Sequence, residues 1–215
     1  MSTRTRPPAR RGVGRPGDGG DVRGAILAAT LRQLASTGNP DRVTIAAIVQ
    51  EAGCTPPSLY HYWPNREVLL HEASGQGWAQ FRASQSGAVA GGQGPVERLR
   101  QRGRAYLDFA LARPALFRVL FLEPPAGRGS EPDAESGKAL NDLVADVTEA
   151  MAVGELRPAD PFATALALWG AIHGIAALWA VTPGLPGDLA HVVGNLAQDA
   201  VLTGLAAETA PSMEL

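Results

Sequence analysis

Thr44 and Thr55 each stand directly before a short, mostly apolar segment, and Ser58, Tyr60, His61 and Arg66 follow closely behind the second. These residue types suit the recognition of a polyanion better than a covalent reaction. A threonine at a helix start leaves backbone N–H groups and the positive end of the helix dipole available to phosphate oxygens, and its hydroxyl can donate as well. Pro56 and Pro57 fall in the first turn of the second segment, where missing N–H groups matter little, and form a short apolar tip able to meet a thymine methyl. Ser58 and His61, spaced to share one helical face, are the expected base-edge readers. Tyr60 and Arg66 are expected to reach phosphates, whereas Leu59, Tyr62 and Trp63 are expected to be core.

These side chains need two short helices and a tight turn to hold them. Thr44 can cap Ile45 to Ala52, Gly53 can end it, and Thr55 can cap a further helix running through Trp63. Ala46 and Ala47 keep the first of the pair slim where the two cross, and Ile48, Val49 and Leu59 supply a small core. Ahead of the pair, Val22, Ile26, Leu27, Leu31 and Leu34 recur at helical spacing between an Asp21 cap and a Gly38 stop. Three short helices with a turn of this kind form a helix-turn-helix, whose last helix can enter a major groove of double-stranded DNA.

The stretch from Thr44 to Leu70 resembles the TetR family of regulators. The resemblance rests on Thr44, on Ala52-Gly53-Cys54-Thr55, on Leu59-Tyr60-His61-Tyr62-Trp63 and on Arg66-Glu67-Val68-Leu69-Leu70. Trp63 stands where the family usually has Phe, Arg66 where Lys is commoner, and Cys54 where Val is common. Further along, Trp169-Gly170-Ala171-Ile172-His173-Gly174 resembles the Trp and His-Gly signature of one type of TetR ligand domain, and Arg113 to Phe121 fits its sixth helix. The resemblance implies an all-α regulator of about nine helices that responds to a small-molecule effector. It further implies a repressor bound as a homodimer to an inverted-repeat operator.

Charge and composition agree with such a division. Residues 1–66 hold nine arginines against four acids, while the remainder holds ten Lys and Arg against seventeen acids, so only the front is suited to a polyanion. Residues 1–20 are Arg, Gly and Pro with almost no apolar side chains and read as a disordered basic arm, in which Arg15 could enter a minor groove. Residues 21–66 are then the DNA-binding domain and 67–208 a helical ligand-binding and dimerisation domain. The single Cys54 can form no internal disulfide, His61, His71, His173 and His191 are scattered, and no nucleophile, base and orienter recur together. No enzyme activity, metal or cofactor is therefore expected. The longest apolar stretch, Phe162 to Val181, carries His173 and reads as a buried helix, so no membrane partner is expected and a cytoplasmic location is.

Further helices are expected from Asn65 to the Gly91 break, from Pro95 to Ala112, from Pro114 to Leu122, over roughly 134–152, from Pro161 to Val181 and from Asp188 to Ala206. No segment alternates as a strand would. The resemblance places dimerisation on the last two of these, where Gly170, Gly174 and Ala177 allow close approach and Leu189, Val192, Val193, Leu196 and Leu202 offer an apolar face. It places the effector among the preceding helices, with Trp78, Phe81, Tyr106, Phe109, Phe117, Phe121 and Trp169 as apolar candidates and His173 as the polar one. Such a lining, with little fixed charge, favours a hydrophobic or aromatic effector over a sugar or a phosphate.

Overall fold

A computed structural model of the chain describes residues 21–91, 94–125, 134–182 and 184–207. The basic arm, Arg15 included, lies outside the described residues. Those residues form α1 (Val22–Thr37), α2 (Ile45–Ala52), α3 (Pro56–Tyr60), α4 (Arg66–Ala88), α5 (Pro95–Ala112), α6 (Pro114–Phe117), α7 (Ala134–Ala152), α8 (Pro161–Val181) and α9 (Gly187–Leu205). A 3-10 turn over Pro40–Arg42 precedes α2, and a π-helical turn over Arg118–Leu122 continues α6. Among the described residues the β content is one isolated antiparallel bridge between Leu156 and Ala206.

The caps do what their residue types allow. Asp21, Thr44, Thr55, Asn65 and Asp160 each accept a bond from a backbone N–H in the first turn of the following helix, satisfying donors that a helix start otherwise leaves without partners. Gly38 ends α1 at φ 62° and Gly53 ends α2 at φ 66°, a left-handed conformation that side chains with a Cβ rarely adopt. At Gly38 space is also short, since an added Cβ would lie 3.3 Å from that of Ala115.

Two features differ from the sequence expectation. The helix expected to run through Trp63 ends at Tyr60, where the N–H groups of Tyr62 and Trp63 both turn back onto the carbonyl of Leu59. And α8, expected to be buried, is covered on one side alone. It is long and apolar enough to cross a membrane by length and composition, with a mean hydropathy of 1.6, but it packs against α5, α7 and α9 and leaves its other face bare.

Apolar residues gather in three clusters. The front cluster joins Ile26, Leu34, Ile48, Leu59 and Trp63 to Leu69, Leu70 and Ala73 of α4, and it also takes Val119 from the π turn. The second surrounds Trp78, Phe81, Tyr106 and Phe117, and the third packs Leu99 against Val147, Leu168 and Leu202. The front core thus extends past residue 66, and α4 is common to both halves of the molecule.

Candidate functional site

The front site is built on α2, α3 and the turn between them. Thr44, Thr55, Pro56, Pro57, Tyr60 and His61 are all exposed. Leu59 at the centre of α3 is fully buried and holds that short helix against the front cluster. Ser58 is half-buried, and its hydroxyl lies 2.9 Å from that of Thr55, so that one of the two donates to the other.

Three expectations are corrected here. Tyr62, expected in the core, is 42% exposed, with its ring beside that of His61 at a centroid distance of 4.9 Å. Ala46 is exposed rather than lodged at the crossing of α2 and α3. Arg66, expected to reach a phosphate, turns inward: its Nε donates to the carbonyl of Val43 at 2.7 Å and one terminal nitrogen donates to the carbonyl of Pro40. The guanidinium thereby fastens the segment leading into Thr44, which caps the start of α2.

Trp63 closes the front site from below. It is buried, its indole N–H donates to Glu72 of α4 at 2.7 Å, and Glu72 also accepts from Arg23 of α1, whose guanidinium lies over the indole ring at 5.4 Å. Trp63 is legible in the sequence as a core residue, but Glu72 is not, since nothing in the spacing shows which acid meets a buried indole.

A second site lies among α4, α5, α7 and α8, where a cavity of about 470 Å³ opens. Trp78, Phe81, Tyr106, Phe121, Trp169 and His173 all line it, as expected from sequence. Phe109 and Phe117 do not. They are buried behind the wall, with Phe109 edge-on to Phe81 at 5.2 Å and Phe117 stacked on Phe121 at 4.9 Å, so they shape the lining rings from outside.

A polar relay crosses one wall. Trp169 Nε1–H donates to the Tyr106 hydroxyl oxygen at 3.3 Å, and that hydroxyl lies 2.8 Å from His173 Nδ1. The tyrosine oxygen accepts from Trp169, and one proton lies between it and Nδ1, carried by the hydroxyl when the imidazole is the Nε2–H tautomer and by the ring when it is the Nδ1–H tautomer. Burial pushes the Tyr106 hydroxyl to a higher pKa, partly offset by the Trp169 bond, and pushes His173 below the ordinary histidine value, so both are neutral at pH 7.

The cavity also holds residues that the sequence reading did not single out. Gln85 and Gln198 reach it, but their amides are engaged by α5: Gln198 donates to the carbonyl of Leu99 at 2.7 Å, and Gln85 donates to the carbonyl of Arg102 and accepts from the N–H of Tyr106. Gly103 makes room for Gln198, since a Cβ there would fall 2.5 Å from its amide nitrogen. Arg102 itself is in the wall, with Nε donating to Asp146 at 2.5 Å. No group of three or more His, Cys, Asp or Glu capable of holding a metal ion occurs among the described residues.

Residues 26–73 match the family described as bacterial regulatory proteins, tetR family, and residues 99–200 match the tetracyclin repressor-like C-terminal domain. The chain belongs to the TetR family. It is a DNA-binding regulator whose C-terminal domain is of the ligand-responsive type. Solved structures agree in fold. A protein with unknown function from Rhodococcus sp. RHA1 is 27% identical, with a TM-score of 0.75 over 90% of this chain and 100% of that one. A TetR-family transcriptional regulator from Pectobacterium atrosepticum is 22% identical, with a TM-score of 0.71 over 88% of this chain and 96% of that one. The regulator FadR from Bacillus subtilis, in complex with stearoyl-CoA, is 18% identical, with a TM-score of 0.68 over 85% of this chain and 99% of that one. No curated protein matches the sequence at a significant level.

Proposed function

We propose that this TetR-family regulator is a dimeric repressor that leaves an inverted-repeat operator when an apolar or aromatic effector fills the cavity between α4 and α8. The observation that carries this reading is the division of a single π-helical turn between the two halves. Val119 is fully buried in the front cluster, while its neighbours Leu120 and Phe121 line the cavity. A π turn lacks the regular spacing of an α-helix and is often found at functional sites. A ligand that displaces Phe121 therefore disturbs Val119 in the cluster that also holds Leu69 and Leu70, and with it the helix that carries Glu72.

α4 offers a parallel route. Its first turns pack in the front core and hold Trp63 through Glu72, and its middle presents Trp78 and Phe81 to the cavity. Rotation of this one helix changes the separation of two recognition helices in a dimer, and an operator with half-sites set by the DNA repeat of about 34–36 Å tolerates little change.

The bare face of α8 and α9 supports dimerisation there. Val192 is 63% and Leu196 71% exposed, and Phe162, Leu166 and Leu178 are exposed on the adjoining helix, large apolar side chains that association would take out of water. Gly170 and Gly174 are exposed beside them, and Ala177 is half-buried. Leu202, expected on the same face, is instead buried in the third cluster. FadR, a protein of similar fold, is seen with stearoyl-CoA, a ligand with a long apolar part, which agrees with an apolar effector here.

The test begins with any compound from an apolar and aromatic panel that raises the melting temperature of the free protein. Its affinity is then measured with and without saturating operator. Reciprocity requires DNA to weaken effector binding by the factor by which effector weakens DNA binding, a coupling of about 1–3 kcal/mol. Equal affinity in both titrations would show that filling the cavity does not control DNA.

A further inference from the structure

We infer that the effector carries a carboxylate at the end of a short arylalkyl chain, and that Arg102 is the residue that receives it. This rests on the effector-site reading above and narrows it. Arg102 and Arg98 share one buried carboxylate, that of Asp146, through their Nε atoms at 2.5 and 2.9 Å. Arg98 has a second acid, Glu149, at the surface. Arg102 has none among the described residues: its side chain is 12% exposed, it lines the cavity, and its two terminal nitrogens make no bond to any described residue. Four N–H donors of a fixed-charge group are thus held at the wall of a mostly apolar space.

A guanidinium with one edge engaged and the other open matches a single carboxylate, which accepts two parallel N–H bonds in one plane. A phosphate dianion would call for more cationic donors than the wall supplies. A cationic ligand is disfavoured by the same charge. The neighbouring amides of Gln85 and Gln198 are engaged by α5, and Arg102 is the one fixed charge among the described residues of the wall.

The other end sets the rest of the ligand. Arg102 and Tyr106 lie one turn apart on α5, a rise of about 6 Å. Beyond Tyr106 the rings of Trp78, Phe81 and Phe121 meet edge-on, with Trp78 to Phe121 at 4.6 Å and Phe81 to Phe121 at 5.3 Å. Such a cluster accepts a further ring in the edge-to-face arrangement that aromatic groups favour. A carboxylate at Arg102 and a ring at Phe121 are therefore joined by a short alkyl spacer.

Trp78 and Trp169 line the cavity and report its occupancy by fluorescence. The full chain is titrated with phenylbutyrate, with the neutral phenylbutyramide and with octanoate. A charge-assisted bond predicts that phenylbutyrate binds at least about tenfold more tightly than the amide, and octanoate more weakly than phenylbutyrate. In Arg102→Met the acid should fall to the amide's affinity while the amide is unchanged. In Asp146→Asn, which frees Arg102 from its partner, the preference for the acid should persist or grow, and this variant decides the matter if Arg102→Met does not fold. Acid and amide binding alike in the wild-type chain would overturn the carboxylate anchor and leave the apolar-site reading standing. Octanoate binding as tightly as phenylbutyrate would overturn the aryl assignment. Failure of all three to bind would overturn the anchor, whereas the effector-site reading is judged separately by the panel and operator titration described above.

Discussion

Trp63 and Glu72 form the seam between the recognition helix and the rest of the molecule, the buried indole N–H donating to the carboxylate at 2.7 Å. Arg23 reaches the same carboxylate from α1, so one acid on α4 fixes the ends of two other helices. Removing it leaves a donor in the core with no acceptor.

Glu72→Ala should therefore lower stability by about 1–3 kcal/mol, the desolvation penalty of a stranded donor, and should weaken operator binding as α3 loses its anchor. Glu72→Gln keeps an acceptor for the indole and should recover most of the stability. Chemical denaturation and gel shifts on the two variants check this. An unchanged unfolding midpoint in Glu72→Ala would show that the bond contributes nothing to the front domain.

Arg66 and His61 should separate cleanly. His61 is exposed on the recognition side, and His61→Ala should alter preference at one operator position by about 1–3 kcal/mol. Arg66 is bonded to the carbonyls of Val43 and Pro40, so Arg66→Ala should lower the melting temperature and weaken all operators alike, with the salt dependence of binding unchanged. A phosphate contact would instead lower the salt slope by about one, and the slope measured in Arg66→Ala distinguishes the two roles.

How far the residues alone could lead is visible in these side chains. The starts of α1, α2, α4, α5 and α8 and the ends of α1 and α2 follow from their caps, prolines and glycines, because such signals are local and act within one turn. The end of α3 does not, since Tyr60 through Trp63 contains no breaker and the helix stops where Trp63 is drawn under α4 to meet Glu72. Arg66 was legible as a cation near the DNA side and illegible as a clamp, because its acceptors are backbone carbonyls more than twenty residues away. In the cavity the aromatic lining could be named from type and spacing. Arg102 could not, as an arginine amid Arg98, Arg100 and Arg104 looks like one more charge on a solvated face until α7 brings Asp146 against it.

Gly174→Leu should abolish dimerisation without harming the protomer. A Cβ at Gly174 meets nothing within 4 Å in the single chain, so a leucine there has room until a second copy approaches. Packed helices lie about 8–10 Å apart, and a bulky residue at a close crossing forces them wider. Light scattering should report the protomer mass with the helical circular dichroism signal retained. A mass equal to that of the unaltered protein would put the interface elsewhere than on this face.

His173 should make the free protein less stable in mild acid. Its imidazole is half-buried beside the Tyr106 hydroxyl, and burial lowers its pKa from the ordinary 6.5. In the unfolded chain the same group takes up a proton as pH falls through its ordinary value, while in the folded chain it does so only at lower pH. Between those two values the unfolded state binds more protons, so stability rises with pH there and is lost as pH falls through the window. The group is partly open to solvent, which keeps the effect small, but its sign is fixed. His173→Gln retains an acceptor for the Tyr106 hydroxyl and has no charge to gain, so its melting temperature should change less than that of the unaltered chain on going from neutral pH into that window. An effector that fills the cavity excludes water from the imidazole and should steepen the dependence in the unaltered chain alone. Equal pH dependence in the two proteins, with and without effector, would show that His173 is not held neutral by its place in the cavity wall.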